Sequence, residues 1–239
     1  MSRLLVLFLA GFIGLSLRYM VYGEFEQKQL LILLLFPVGA IVILCIMKWQ
    51  YNKDRDFEPE KQDKYMMTRM GDRVSKTNKQ MYNSQEYIGS YRRFYNGWWK
   101  RVVADIMDNP GQWYLNLSFS LKNGDTITFR GKKENKIKGN NEWIIYQNDI
   151  HIGTARTDFS WKNATKLRES LFLEYDNNTY YFKSFGIGSK TEITLNDSII
   201  ATGERIRGSV YELMIDIPDN NKAEILFMSY ILFNYQFGQ

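Results

Sequence analysis

Residues 218–239 read PDNNKAEILFMSYILFNYQFGQ. Pro218, Asp219 and Asn220 form a helix start signal. From Ala223 to Phe237 the pattern is apolar on every side, with Glu224, Asn234 and Gln236 as the main exceptions. A helix that is apolar all round must be buried all round. Fifteen residues make about 22 Å of helix, short for a bilayer core of about 30 Å. Enclosure by a β-sheet is therefore the economical solution, and a third membrane segment is the alternative.

The sheet that would enclose such a helix precedes it. From Trp113 the apolar period becomes two. WYLNLSFSL alternates, Lys122-Asn123-Gly124-Asp125 supplies a hairpin turn, and TITFRG follows. Further strand candidates are EWIIYQ, IHIGTARTDF, ESLFLEYD, TYYFKSFG, KTEITL, SIIATGERI and SVYELMID, which gives nine or ten strands. The turns between them carry Asn and Asp: Asn148-Asp149, Asp176-Asn177 and Asn196-Asp197. One hairpin plan is used twice, since Asn148 to Arg156 parallels Asn196 to Arg205: turn, apolar pair, small residue, Thr, and a strand with an Arg. Repetition of this kind fits a closed meander.

An N-D/x-G-T-x-R hairpin in a strand meander, closed by an apolar ILFMSYILFNYQF helix, resembles the tubby C-terminal-like superfamily. That group comprises tubby, phospholipid scramblase and LURP-one-related proteins. The resemblance covers residues 113–239 and implies a mainly β fold, an antiparallel β-barrel wrapped around a C-terminal hydrophobic helix. The strand count departs from the family's twelve, and no motif carries scramblase activity over.

The N-terminal fifth of the chain is of another kind. Leu4 to Met20 reads LLVLFLAGFIGLSLRYM, and Leu30 to Met47 reads LLILLLFPVGAIVILCIM without a charge. About 20 apolar residues cross a bilayer, with a lower limit near 17. Residues 1–47 are thus expected to form a transmembrane hairpin with helices over 4–21 and 30–47. Arg18 is placed to snorkel to the interface beside Tyr19 and Tyr22. A cleaved signal peptide is the alternative for the first run, but no small-x-small site follows it. Ala10 and Gly14 have the spacing that lets helices approach closely, and Pro37 is placed to kink the second run. Arg3 precedes the hairpin, and Lys48, Lys53, Arg55, Lys61 and Lys64 follow it, whereas the loop holds only Lys28. This asymmetry predicts a multi-pass protein of the cell membrane with both termini cytoplasmic.

Between anchor and barrel, residues 48–83 read as a polar linker. Residues 84–109 place Tyr87, Tyr91, Phe94, Tyr95, Trp98, Trp99, Val102, Val103 and Ile106 at three- and four-residue steps, which predicts an amphipathic helix ended by Asn109-Pro110-Gly111. Arg92, Arg93, Lys100 and Arg101 lie among its aromatics. Two readings follow: an interfacial helix with Trp98 and Trp99 at headgroup level and the basic residues on lipid phosphates, or an aromatic stripe docked on the following domain. Lys132, Lys133, Lys136 and Lys138 cluster in RGKKENKIKGNN, either a second candidate contact, for anionic headgroups or another anionic partner such as nucleic acid, or a solvated loop.

Enzymatic chemistry finds little support. Cys45 is the only cysteine and His151 the only histidine, which removes cysteine-based metal sites and histidine pairs. His151 reads as an exposed strand position, and the glutamates of the strands show no paired spacing. No cofactor is expected. The net charge of +5 is explained by membrane flanks. The reading is a non-enzymatic, membrane-anchored binding protein whose partners are membrane lipids, anionic ones in particular, or a membrane protein; nucleic acid is not expected. A lipid-moving protein and an immunity or regulatory partner protein are the alternatives.

Overall fold

A computed structural model describes residues 2–60, 65–107, 112–132, 140–158, 168–185 and 190–237. Twelve antiparallel strands close into one barrel: β1 (Met66–Arg69), β2 (Lys79–Asn83), β3 (Glu86–Arg93), β4 (Leu117–Leu121), β5 (Thr126–Gly131), β6 (Glu142–Gln147), β7 (Ile150–Thr157), β8 (Arg168–Tyr175), β9 (Asn178–Phe185), β10 (Thr191–Leu195), β11 (Ser198–Arg207) and β12 (Val210–Ile215). Each strand pairs with its sequence neighbours, and β1 closes the ring by pairing Met66 with Leu213 and Arg69 with Val210. Closure leaves no unpaired edge among these twelve strands.

Helix α5 (Asn220–Phe237) fills the barrel, and every residue from Ile225 to Gln236 is buried. Asp219 starts it by accepting hydrogen bonds from the backbone N–H of Asn221 and Lys222 at 3.0 and 3.3 Å. Inward residues of the strands, among them Phe119, Phe129, Ile145, Leu173, Phe182 and Leu213, meet it on all sides. Phe182 stacks on Phe233 with ring centroids 6.2 Å apart. At Gly203 the wall lies so near the helix that an added Cβ would be 2.5–2.9 Å from the ring and hydroxyl of Tyr230.

The two rims of the barrel differ. One carries the tight turns at 84–85, 122–125, 148–149, 176–177 and 196–197. In the last three both central residues have positive φ, the type I′ geometry that Asn and Asp tolerate. The other rim carries the longer connections that follow β1, β3, β5, β7 and β9, together with the short turn at 208–209. Helix α5 enters at the tight-turn rim, where Lys222 bonds Asp176 at 2.7 Å, and ends at the long-connection rim. There Arg73 donates to the carbonyl of Asn234 at 3.1 Å, a cation at the negative end of the helix.

Three strands lie where the sequence suggested a linker and a helix. β1 and β2 fall within residues 48–83, and β3 replaces the first half of the helix expected over 84–109. On β3 the inward residues are Gly89, Tyr91 and Arg93. Only one of the three is a large apolar residue, so the period-two pattern is hidden, and the spacing of Tyr87, Tyr91 and Tyr95 mimics a helix. The barrel therefore begins at Met66 rather than at Trp113.

The N-terminal helices are α1 (Ser2–Tyr22), α2 (Gln27–Leu33) and α3 (Leu35–Arg55). Two stretches, Ser2–Tyr22 and Gln27–Arg55, are long and apolar enough to cross a membrane. Gly23, at φ +72°, ends α1 in the left-handed conformation that glycine adopts without strain. Pro37 lacks an N–H and crowds the carbonyl four residues back, which accounts for the break at Leu34 between α2 and α3. The close approach of the helices falls at Gly11 against Leu33 and Gly39 against Leu4, not at Ala10 and Gly14. Residues 48–55 are not linker but the last two turns of α3, because no glycine or proline interrupts them before Pro59. Phe57 then packs with Met67 and Val210 on the outside of the barrel.

Candidate functional site

Both ends of the helical hairpin meet the long-connection rim. At the end of α3, Asp54 is fully buried and accepts the backbone N–H of Gly71 at 3.0 Å and of Asp72 at 2.7 Å. It also ion-pairs with Arg69, and Lys79 Nζ lies 4.0 Å from its other oxygen. The apolar helix is thus joined to the barrel through a buried polar cluster.

The start of α1 meets α4 (Trp98–Ile106), which lies in the connection between β3 and β4. Asp105 accepts the backbone N–H of Ser2 at 2.8 Å and its hydroxyl as well, while Arg3 donates to the carbonyl of Ile106. Each helix caps the other: an acid sits at the positive start of α1 and a base at the negative end of α4. Burial raises the Asp105 carboxyl, but the Ser2 bonds and the positive charge of the chain's amino group together leave it below its ordinary value.

At 100° per residue, Trp98, Val102, Ile106, Trp99 and Val103 occupy one continuous arc of α4, about 140° wide. This arc does not face the barrel. The fully buried position is Ala104 on the other side, while Trp98 is 80% exposed, Trp99 45% and Val102 40%. Lys100 and Arg101 flank the arc. Lys100 Nζ lies 5.7 Å from the ring centres of both Trp99 and Tyr114. An amphipathic helix that turns its apolar arc outward, beside the first turn of a helix long enough to cross a bilayer, has the form of an interfacial element.

The structure sorts the other candidates. Arg92 is exposed on the outer face of β3. Arg93 is not available to any ligand. It is buried, donates to the carbonyls of Arg73 at 2.7 Å and of Trp113, and lies 4.8 Å from the Tyr95 ring. Its alternating partner Arg92 points out because side chains of a strand alternate, an assignment a helical reading obscures. Tyr95 donates to the carbonyl of Val74 at 2.8 Å, and burial pushes its hydroxyl up to about 12. Lys132 follows β5 at the long-connection rim and pairs with Glu142 at 3.1 Å. Lys133, Lys136 and Lys138 lie outside the described residues. Asp54, Lys79 and Asp105 escaped the sequence reading, since a lone charge in a polar stretch carries no periodic signal. His151 is exposed, with its ring centre 6.2 Å from that of Tyr146. Among the described residues, no three His, Cys, Asp or Glu side chains gather as metal ligands would.

A closed twelve-stranded meander around a central helix agrees with a family comparison, in which the model described as Tubby C-terminal like domain matches residues 65–237. The chain belongs to this family. Nothing matches it among the curated proteins or among the solved structures. The tubby-like domain starts at β1, so the match takes in the three strands that the resemblance over 113–239 left out. Membership supports a role in binding a lipid or a partner, and tubby-like domains are generally non-enzymatic.

Proposed function

We propose that this chain is a non-enzymatic, membrane-anchored binding protein. In this reading the hairpin of α1, α2 and α3 spans the cell membrane, and the tubby-like domain lies on the cytoplasmic face. The domain's long-connection rim recognises anionic lipid headgroups. The observation that carries the reading is the capping contact between Asp105 and Ser2, which holds the exposed arc of Trp98, Trp99 and Val102 level with the start of α1. Indole rings favour the boundary between headgroups and acyl chains. Lys100 and Arg101 then lie near the phosphates, where each basic residue adds roughly 1 kcal/mol of attraction. Arg92 and Lys132 add charge to the same side of the barrel. The basic residues in the last turns of α3 and just after it, against the single lysine of the opposite loop, support a cytoplasmic rim.

The test uses the full chain in vesicles of phosphatidylcholine brominated along its acyl chains. Bromines near the carbonyl level quench wild-type tryptophan emission, and the double variant Trp98→Phe, Trp99→Phe loses most of that quenching. Energy transfer from these residues to labelled phosphatidylserine exceeds transfer to labelled phosphatidylcholine, and the excess shrinks with added salt. Quenching equal in wild type and variant removes α4 from the bilayer and makes a protein partner the ligand of the rim.

A further inference from the structure

The far half of the hairpin contains a groove of about 350 Å³. Its walls are Gly11, Gly14, Leu15, Ile32, Leu33 and Phe36, and its polar end carries Arg18 and Gln29. Because Ser2 and Asp54 both touch the barrel rim, this groove lies toward the opposite membrane face. Glycine opens it: a Cβ added at Gly14 would meet no atom within 4 Å. From Gly11 to Arg18 the groove runs about 10 Å along α1.

We infer that the groove holds one zwitterionic aminophospholipid, with an acyl chain beside Gly14, its phosphate on Arg18 and its ammonium on Glu26. The inference rests on the membrane-spanning reading of the hairpin. In hydrocarbon, an open apolar groove takes up the mobile apolar chains around it. The polar end selects the headgroup. Arg18 and Glu26 form an ion pair, and 49% of the arginine side chain and 32% of the glutamate side chain stay exposed. A cation and an anion side by side complement a headgroup that carries phosphate and a primary ammonium. The guanidinium presents a fork of donors to phosphate oxygens. An ammonium has N–H donors for Glu26, which choline lacks. A headgroup with only negative charge meets Glu26 as a like charge.

The experiment equilibrates the full chain in nanodiscs of equal phosphatidylethanolamine and phosphatidylglycerol and reads retained lipid by native mass spectrometry. Wild type retains one phosphatidylethanolamine in preference to phosphatidylglycerol. Gly14→Phe fills the groove and Arg18→Gln removes the phosphate contact, and each weakens retention by roughly tenfold or more. Arg18→Lys restores part of it. Thermal unfolding of the barrel, at the other end of the hairpin, stays at the wild-type temperature in all three variants. The inference is overturned if wild type retains no lipid, if it prefers phosphatidylglycerol, or if neither Gly14→Phe nor Arg18→Gln changes retention. A wild-type dimer that Gly14→Phe splits also overturns it, because a second copy then occupies the groove. A cysteine at Glu24, in a Cys45→Ser background, separates the two readings. Labelling by an impermeant reagent from the side opposite the barrel upholds the span, so that a missing lipid then sinks the groove alone. Absent labelling sinks the span and the groove with it.

Discussion

Gly203→Ala tests the enclosed helix with a single methyl group. Gly203 has an ordinary strand conformation, so alanine brings no backbone strain, only its Cβ. That atom would lie 2.5 Å from Tyr230 Cε2 and 2.6 Å from Cζ, well inside van der Waals contact. Tyr230 is fully buried, so its ring, α5 or strand β11 must shift. Overpacking of this kind costs about 1–3 kcal/mol. For a domain of this size that lowers Tm by roughly 2 to 12 °C. The measurement is thermal unfolding of the full chain in detergent, followed by near-ultraviolet circular dichroism. Tyr230→Leu alone leaves a cavity and costs about 2–5 kcal/mol. In combination the two changes relieve each other, and the double variant is more stable than their sum predicts by about 1–3 kcal/mol. Strict additivity, or a Gly203→Ala protein as stable as wild type, would show that the wall and the helix do not touch there.

Ile231 and Phe233 sit about 200° apart around α5, yet an aspartate at either position abolishes cooperative unfolding, because an unpaired buried charge has no face on which to find water; one tolerated aspartate refutes enclosure. Asp105, whose carboxyl is held below its ordinary 3.8, contributes stability that is present above that value and is lost as pH falls below it through the depressed pKa. Acid therefore separates α1 from α4, which spin-label distances between the two helices report, and Asp105→Asn shows no such transition; an unchanged acid transition in that variant rejects the assignment. Arg93→Ala strips carbonyl groups of Arg73 and Trp113 of their donor and costs about 1–3 kcal/mol for each one left buried and unpaired, whereas Arg92→Ala on the outer face stays within about 0.5 kcal/mol; equal effects in chemical denaturation would contradict the burial of Arg93.

The strands from β4 onward are legible because their inward positions are large and apolar while their turns carry Asn, Asp or Gly. β3 had a signal of another kind. Ile88-Gly89-Ser90-Tyr91-Arg92 repeats Ile152-Gly153-Thr154-Ala155-Arg156, and Ile200-Ala201-Thr202 opens the third copy. In all three the isoleucine is the extra residue of a bulge: Met81 faces Gly89 and Tyr82 faces Tyr87, Ile145 faces Gly153 and Tyr146 faces His151, and Ile193 faces Ala201 and Thr194 faces Ile199. The small residue after the bulge has a packing reason, for a Cβ at Gly89 would lie 2.5 Å from the carbonyl oxygen of Ser120 on the next strand. The repeat was visible in two copies and hidden in the third by aromatic spacing that imitates a helix. β1 and β2 had no such signal, since Thr68, Lys79 and Gln80 take strand positions that apolar patterns miss. At the candidate site, Trp98, Trp99, Lys100 and Arg101 were legible as an amphipathic stretch. Which way its apolar arc faces was not, because that depends on Ser2 and Asp105, 103 residues apart in sequence.

The position of α5 in the chain has a consequence for biosynthesis. All twelve strands precede the helix they enclose, and β1 finds its closing partner only in β12. At translation rates of roughly 5–20 residues per second, the strands spend seconds outside the ribosome with their apolar faces uncovered. Contacts that join such distant residues form slowly once they become available. By then the hydrophobic hairpin that precedes the barrel has already emerged, so early membrane insertion would hold the unfinished sheet at the bilayer surface while it waits for its core.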